Sequence, residues 1–144
     1  MKNFNYKILY SNEIDSNLEK EIMECFNSSF NQKKSKKYFK WKYYDNPFGR
    51  SIHILVYDKL KLVSSRVFWR LDLNQQEAYQ CVDTSVIPSY QGKGIFKLST
   101  NAALKILKNK IIYNYPNKMS YPAYLNLGWD KNKLSFLKFN YIKK

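Results

Sequence analysis

The chain has 144 residues, of which 44% are apolar and 17% aromatic, and a formal net charge of +14. That length suits one domain, 1–144, with an aromatic-rich core; its apolar runs are too short to span a bilayer, and its N-terminus lacks the apolar stretch and cleavage site of a signal peptide, so a cytoplasmic protein is expected. The charge invites a nucleic-acid-binding reading, but only Arg50, Arg66 and Arg70 among the 25 basic residues are arginines, and phosphate clamps and base readers lean on Arg.

In chain order, "FNYKILY" (residues 4–10) reads as a strand. Asp15 or Ser16 caps a helix that runs to about Phe26, with Ile14, Leu18, Ile22 and Phe26 on one face. Residues 27–37 read as a polar, basic loop. A short aromatic helix, "YFKWKYY", follows and stops at the breaker cluster Asp45-Asn46-Pro47-Phe48-Gly49. Three strands come next, over Ile52 to Tyr57, Arg66 to Leu73 and Ala78 to Ile87, joined by short turns as an antiparallel meander. A helix opens at Gly94 and runs to Lys108. A short strand spans Ile111 to Tyr115. Pro122 suits the first turn of a helix ending at Gly128, and the tail "LSFLKFNYIKK" reads as a last strand. The step from strand to helix to strand across Gly94 requires a parallel crossover.

The chemistry concentrates at Ser89 to Leu98, "SYQGKGIFKL", where two of the chain's four glycines stand between a strand and a helix. A helix N-terminus presents unpaired amides and a partial positive charge, so a loop stripped of side chains there suits an anion. A glycine-containing turn with no ligand fits "QGKGI" (residues 91–95) equally well. Neither a P-loop nor a complete G-x-G-x-x-G is present. Cys25 and Cys81 have no metal-ligand or redox spacing and read as two buried free thiols; no metal site is expected.

"SVIPSYQGKGIFKL" resembles motif A, Q/R-x-x-G-x-G/A, of the GNAT acetyltransferases: Gln91 and Gly94 match, and Phe96 stands where Gly or Ala is usual. "NKMSYPAYLNLGW" resembles the family's second signature through Asn117, Ser120, Tyr124, Gly128 and Trp129. "YFKWKYYDNPFG" is similar to a W-K-Y-x-x-N-P-x-G element of a branch found near polysaccharide and amino-sugar genes. The resemblance implies an α/β (α+β) fold, with a mixed, mostly antiparallel sheet flanked by helices in the order β-α-α-β-β-β-α-β-α-β. It also implies acetyl transfer from acetyl-CoA to a primary amine of a small molecule, such as an amino sugar.

On this resemblance the strand before motif A is bulged. It would hold the pantetheine near Ser85, Val86 and Ile87, while the amides of Gln91, Gly92, Lys93, Gly94, Ile95 and Phe96 take the pyrophosphate. Tyr124 would serve the departing thiolate, and Asn117 would contact the pantetheine region or cap the last helix. Asp83 is the candidate general base, with a hydrogen-bonded strand aspartate as its plainer reading; strict alternation sets it with Cys81 and Ser85, unless a bulge breaks the parity. His53 reads as a surface or sheet-face residue. Trp41 reads as packing the short helix onto the sheet, with Tyr43, Tyr44 and Asn46 left between structure and acceptor lining. A short C-terminus leaves an open sheet edge and with it the expectation of a homodimer. Two rival readings are a GNAT-like CoA-binding protein without catalysis and a basic nucleic-acid-binding module.

Overall fold

The computed structural model describes residues 3–131; the strand expected over residues 134–144 lies outside them. The chain divides into two compact units, Met1–Asn114 and Tyr115–Lys144.

The first unit is built on a five-stranded sheet in the order β1-β2-β3-β4-β5, formed by β1 (Asn5–Tyr10), β2 (Ile52–Asp58), β3 (Lys61–Arg70), β4 (Ala78–Val86) and β5 (Ile111–Tyr113). The first four strands pair antiparallel and β5 runs parallel to β4, as the crossover through α3 (Ile95–Ile106) requires. The Asn74-Gln75 turn has positive φ at both residues, 48° and 63°, the twist a tight hairpin needs.

Helix α1 (Ser16–Phe30) starts on the Asp15 side chain, which accepts from the Leu18 amide at 2.8 Å. It runs one turn past its apolar stripe. The Ser28 and Ser29 hydroxyls donate back to the Cys25 carbonyl, at 3.0 and 2.7 Å, and Asn31 ends the helix at φ 50°. Helix α2 (Lys36–Phe39), capped by Ser35, continues directly into a π-type turn over Lys40–Tyr44.

The sheet is covered on both faces. Ile22, Cys25, Phe39 and Tyr43 pack on Leu55 and Val67 on one side; Ile95 packs on Val56 and Val63 on the other. Ile54, Leu55 and Val56 are therefore all fully buried in the interior strand β2, where each contributes about 1.5–3 kcal/mol of apolar burial.

One packing expectation is corrected and one is narrowed. Trp41 does not fasten the aromatic helix; it is 61% exposed. Phe39 and Tyr43, four residues apart, take the sheet-facing positions, which turns the residue midway between them outward. Of the two places expected for His53, the surface is excluded and the sheet face holds: it is fully buried, stacked on Phe39 and edge-on to Tyr43. Its Nε2 meets Ser11 Oγ at 3.2 Å, and burial drives its pKa down to about 3.

In the second unit α4 (Tyr121–Asn126) carries Pro122 in its first turn. The Asn117 side-chain oxygen accepts the Met119 and Ser120 amides, at 3.0 and 2.9 Å. The Tyr124 ring meets Trp129 edge-on at 4.9 Å.

Candidate functional site

Strand β4 organises the site. It pairs with β5 only over Ala78 to Gln80. From Cys81 onward its outer edge faces no strand among the described residues. On the inner edge Ser65 pairs with Ser85 and Val67 with Val82, so Asp83 and Thr84 stand opposite the single residue Arg66. This is a β-bulge, and Asp83 at its centre has φ 48°. A left-handed non-glycine residue costs roughly 1–2 kcal/mol, least for Asp and Asn.

The bulge corrects the parity expected from strict alternation. Val82 and Ser85 both face α1, Val82 against the core there and Ser85 with its Oγ 3.7 Å from Cys25 Sγ. Asp83 joins them rather than Cys81, which pairs with Phe68. Beyond the bulge the Ile87 amide donates to the Val63 carbonyl at 3.0 Å. Alternation then turns the Val86 amide and carbonyl away from β3, toward the open edge. The Val86 carbonyl is met there by the Gln91 side chain, whose Nε2 donates to it at 3.3 Å.

The loop after β4 rises over a 3-10 turn, Pro88–Tyr90, to Gly92 and Gly94 at φ 72° and 78°. A Cβ on either glycine would meet no atom of the described residues within 4 Å. The backbone conformation selects glycine there, and the space in front is open. The α3 ladder begins with the Leu98 amide on the Gly94 carbonyl at 3.0 Å, and the amides ahead of it emerge at the helix end. Lys93 folds back, donating to the Ser89 carbonyl at 2.8 Å. Ile95 anchors the helix in the core, 2% exposed. Phe96 turns toward the sheet and lies 4.3 Å from the guanidinium of the fully buried Arg66, which itself donates to Thr100 Oγ1 at 2.7 Å. The unusual residue of the glycine motif is thus used in packing.

On the α1/α2 face the Asp83 carboxylate collects four donors from one segment. The Tyr43 hydroxyl donates to it, as does Tyr38 at 3.2 Å; Lys34 Nζ lies 2.5 Å away and Lys42 Nζ 3.2 Å. Burial pushes the carboxyl's pKa up, but Lys42, Lys34 and the Tyr43 hydroxyl outweigh it and hold it below the ordinary value. Burial and the neighbouring carboxylate push the Tyr43 phenol well up, and burial lowers Lys34. Spacing alone does not disclose Lys34, Tyr38 and Lys42 as partners of a strand residue some forty positions on. Asn46, a candidate for acceptor lining, donates to the Arg70 carbonyl at 2.8 Å and accepts the Phe48 amide at 3.1 Å. Tyr44 donates to Glu19 at 2.9 Å.

An open groove of about 490 Å3 lies over the end of β4, lined by Glu21, Glu24, Cys25, Ser28, Leu62 and Ile87 among others, a volume in the range of small-molecule sites.

Residues 12–131 match the family model of the acetyltransferase (GNAT) domain. No curated protein matches the chain. Solved structures share its fold at low identity. A predicted acetyltransferase of Clostridium acetobutylicum, solved with acetyl-CoA, superposes with a TM-score of 0.69 at 14% identity, over 99% of both chains. An aminoglycoside acetyltransferase from an uncultured soil sample gives 0.68 at 14% identity, over 93% of this chain and 96% of that one. Glucosamine-6-phosphate N-acetyltransferase of Arabidopsis thaliana gives 0.66 at 11% identity, over 96% and 99%.

Proposed function

The chain belongs to the GNAT acetyltransferase family, and on that premise we propose that it moves an acetyl group from acetyl-CoA to a primary amine of a small molecule, an amino sugar among the candidates. The observation that carries this reading is that β4's outer edge beyond Gln80, which pairs with no strand among the described residues, leads to the left-handed Gly92 and Gly94 ahead of α3. An extended arm can add along the first, and an anion can seat on the second without meeting a side chain. These features fit the donor's two ends.

Bound acetyl-CoA would supply an acetyl group already activated as a thioester. The residues here would hold it. Ser85, Val86 and Ile87 form the strand end that receives the arm. The amides from Gln91 to Phe96 receive the pyrophosphate, with Lys93 able to unfold from Ser89 and add its charge. The outward Val86 amide would be the backbone donor available to the thioester oxygen as negative charge develops on it.

From its place in the second signature that the sequence resembles, Tyr124 would serve the departing thiolate, a role that suits a phenol as a neutral donor at pH 7. The Asn117 side-chain oxygen caps the entry to α4, one of the two roles expected of it. Asp83 suits a holding role better than proton abstraction. Its carboxylate is engaged by two ammonium groups and two hydroxyls, and its lowered pKa makes it a weak base. The reacting amine then loses its proton to water in the groove. Such transfer needs no metal ligand from the chain.

The test is calorimetric titration with acetyl-CoA followed by an acetylation assay over a panel of amines, on wild type and Tyr124→Phe. Micromolar binding by both proteins, with turnover reduced about 100-fold or more in the variant, supports the reading. Absence of acetyl-CoA binding by wild type overturns it.

A further inference from the structure

Lys34 reaches the Asp83 carboxylate from outside the regular structure. It stands in the irregular stretch 31–35 between α1 and α2. Its ammonium lies 2.5 Å from Asp83, 3.5 Å from the centre of the Phe26 ring and 4.5 Å from that of Tyr38. A carboxylate combined with aromatic faces is how proteins hold an alkylammonium. The walls of this cage come from elsewhere: Phe26 from α1, Tyr38 from α2, Asp83 from β4. Each wall belongs to a regular element that excludes Lys34, and the Lys34 ammonium also donates to the Tyr38 hydroxyl at 3.3 Å.

Three observations make Lys34 an occupant of the cage rather than a part of it. Lys42, whose side chain is 10% exposed, already sits 3.2 Å from the same carboxylate, so charge balance at Asp83 needs no second ammonium. Burying that second ammonium is costly, and burial lowers its pKa. Ser65, 1% exposed, lines the adjoining cavity with a hydroxyl that lacks a hydrogen-bond partner among the described residues. That cavity has about 20 Å3 free, space for roughly one water. The site thus has a polar group and a little room that the present occupant leaves unused.

We propose that this cage anchors the acceptor, by taking a second, non-reacting alkylammonium of a diamine-like substrate that displaces the Lys34 side chain. The proposal rests on the acetyltransferase reading above. The anchored amine is not the one acetylated, because an ammonium held by the carboxylate and the rings has no lone pair for attack and lies away from Val86. The reacting amine must reach the Val86 amide three residues further along β4, at most about 10 Å at the rise of a regular strand and less across the bulge. A monoamine cannot occupy both places; an extended diamine approaches that span.

The test compares cadaverine with n-pentylamine, which have the same carbon chain and two or one amines. Calorimetry without acetyl-CoA is run on wild type, Lys34→Ala and the double variant Lys34→Ala/Phe26→Leu; all three keep the Asp83–Lys42 pair. Cadaverine is expected to bind Lys34→Ala at least tenfold tighter than wild type, and the double variant should lose that gain. In acetylation assays the KM of cadaverine should lie at least tenfold below that of n-pentylamine, and fall further in Lys34→Ala. Equal binding of cadaverine by wild type and Lys34→Ala, or equal KM for the two amines, overturns the proposal. A gain in cadaverine binding with no acetyl-CoA binding in any protein upholds the cage and instead removes the acetyltransferase reading.

Discussion

The hydroxyl of Tyr43, 3% exposed under the α2 layer, donates to the carboxylate of Asp83 at the left-handed centre of the β4 bulge. One bond thus ties a helical segment to the strand irregularity that turns the Val86 amide outward. Tyr43→Phe removes this bond with little change in shape. A hydrogen bond to a charged group contributes about 1.5–3 kcal/mol, and a loss of that size is expected in denaturant unfolding. The pH dependence has a definite sign. The Asp83 carboxyl lies below its ordinary value in the fold, so as pH falls the unfolded chain binds the proton first. The stabilisation is complete above the unfolded value near 3.9 and is lost as pH drops through the folded value. Asp83→Asn, which tolerates the same φ, should lower stability at pH 7 and flatten this acid limb. An unchanged acid limb would show that the carboxylate is not the group responsible.

His53 titrates with the same sign by a different cause. It is buried neutral, with a folded value of about 3 against about 6.5 when exposed. Between those values the unfolded chain binds a proton that the fold refuses, so stability falls as pH drops below about 6.5. His53→Phe keeps the stack on Phe39 and removes the titration. Melting temperatures at pH 7 and pH 5 should differ less in the variant than in wild type. Equal differences would mean that His53 is protonated without cost.

Much of the fold is written in local chemistry. Asp15, the Asn46-Pro47 breaker, Pro122 and the glycines at 92 and 94 act through their own backbone, so spacing discloses the elements they start or stop. What stays hidden is set at a distance. The bulge inserts one residue into β4, and no alternation count places it in advance. The Asp83 partners lie about forty residues upstream and meet it only once α2 lies on the sheet. Trp41 and Tyr43 have the same aromatic character in sequence, and the helical phase alone sends one to solvent and the other to the core. His53 alternates as a sheet residue, and its burial depends on the aromatic layer above it.

Phe96 is the departure from the glycine motif, and its ring covers the buried Arg66 guanidinium at 4.3 Å. Phe96→Ala brings the sequence to the motif but uncovers that charge. A desolvated cation–π contact contributes about 2 kcal/mol, and the cavity adds to the loss. Unfolding should therefore show a destabilisation above 2 kcal/mol. Acetyl-CoA affinity should stay within a few-fold, because only the Phe96 backbone is assigned to the pyrophosphate. A tighter complex with unchanged stability would mean that the ring obstructs the donor rather than supporting the helix.

Gly94 separates conformation from space. Its φ is 78°, and a Cβ there would meet no atom of the described residues within 4 Å. Gly94→Ala thus has no clash with those residues and only the left-handed cost, about 1–2 kcal/mol. If the loop cradles a pyrophosphate, the two substitutions part company. Alanine should weaken acetyl-CoA by a modest factor, through strain and one methyl group. Gly94→Glu carries the same backbone cost but sets a carboxylate before the amides that open α3, where like charge excludes the anion. It should abolish binding in calorimetry while its thermal stability matches that of the alanine variant. Raised salt should not restore it, since the obstruction is steric as well as electrostatic. Equal affinity in the two variants would mean that the glycines serve only the turn and that the donor's anionic end lies elsewhere.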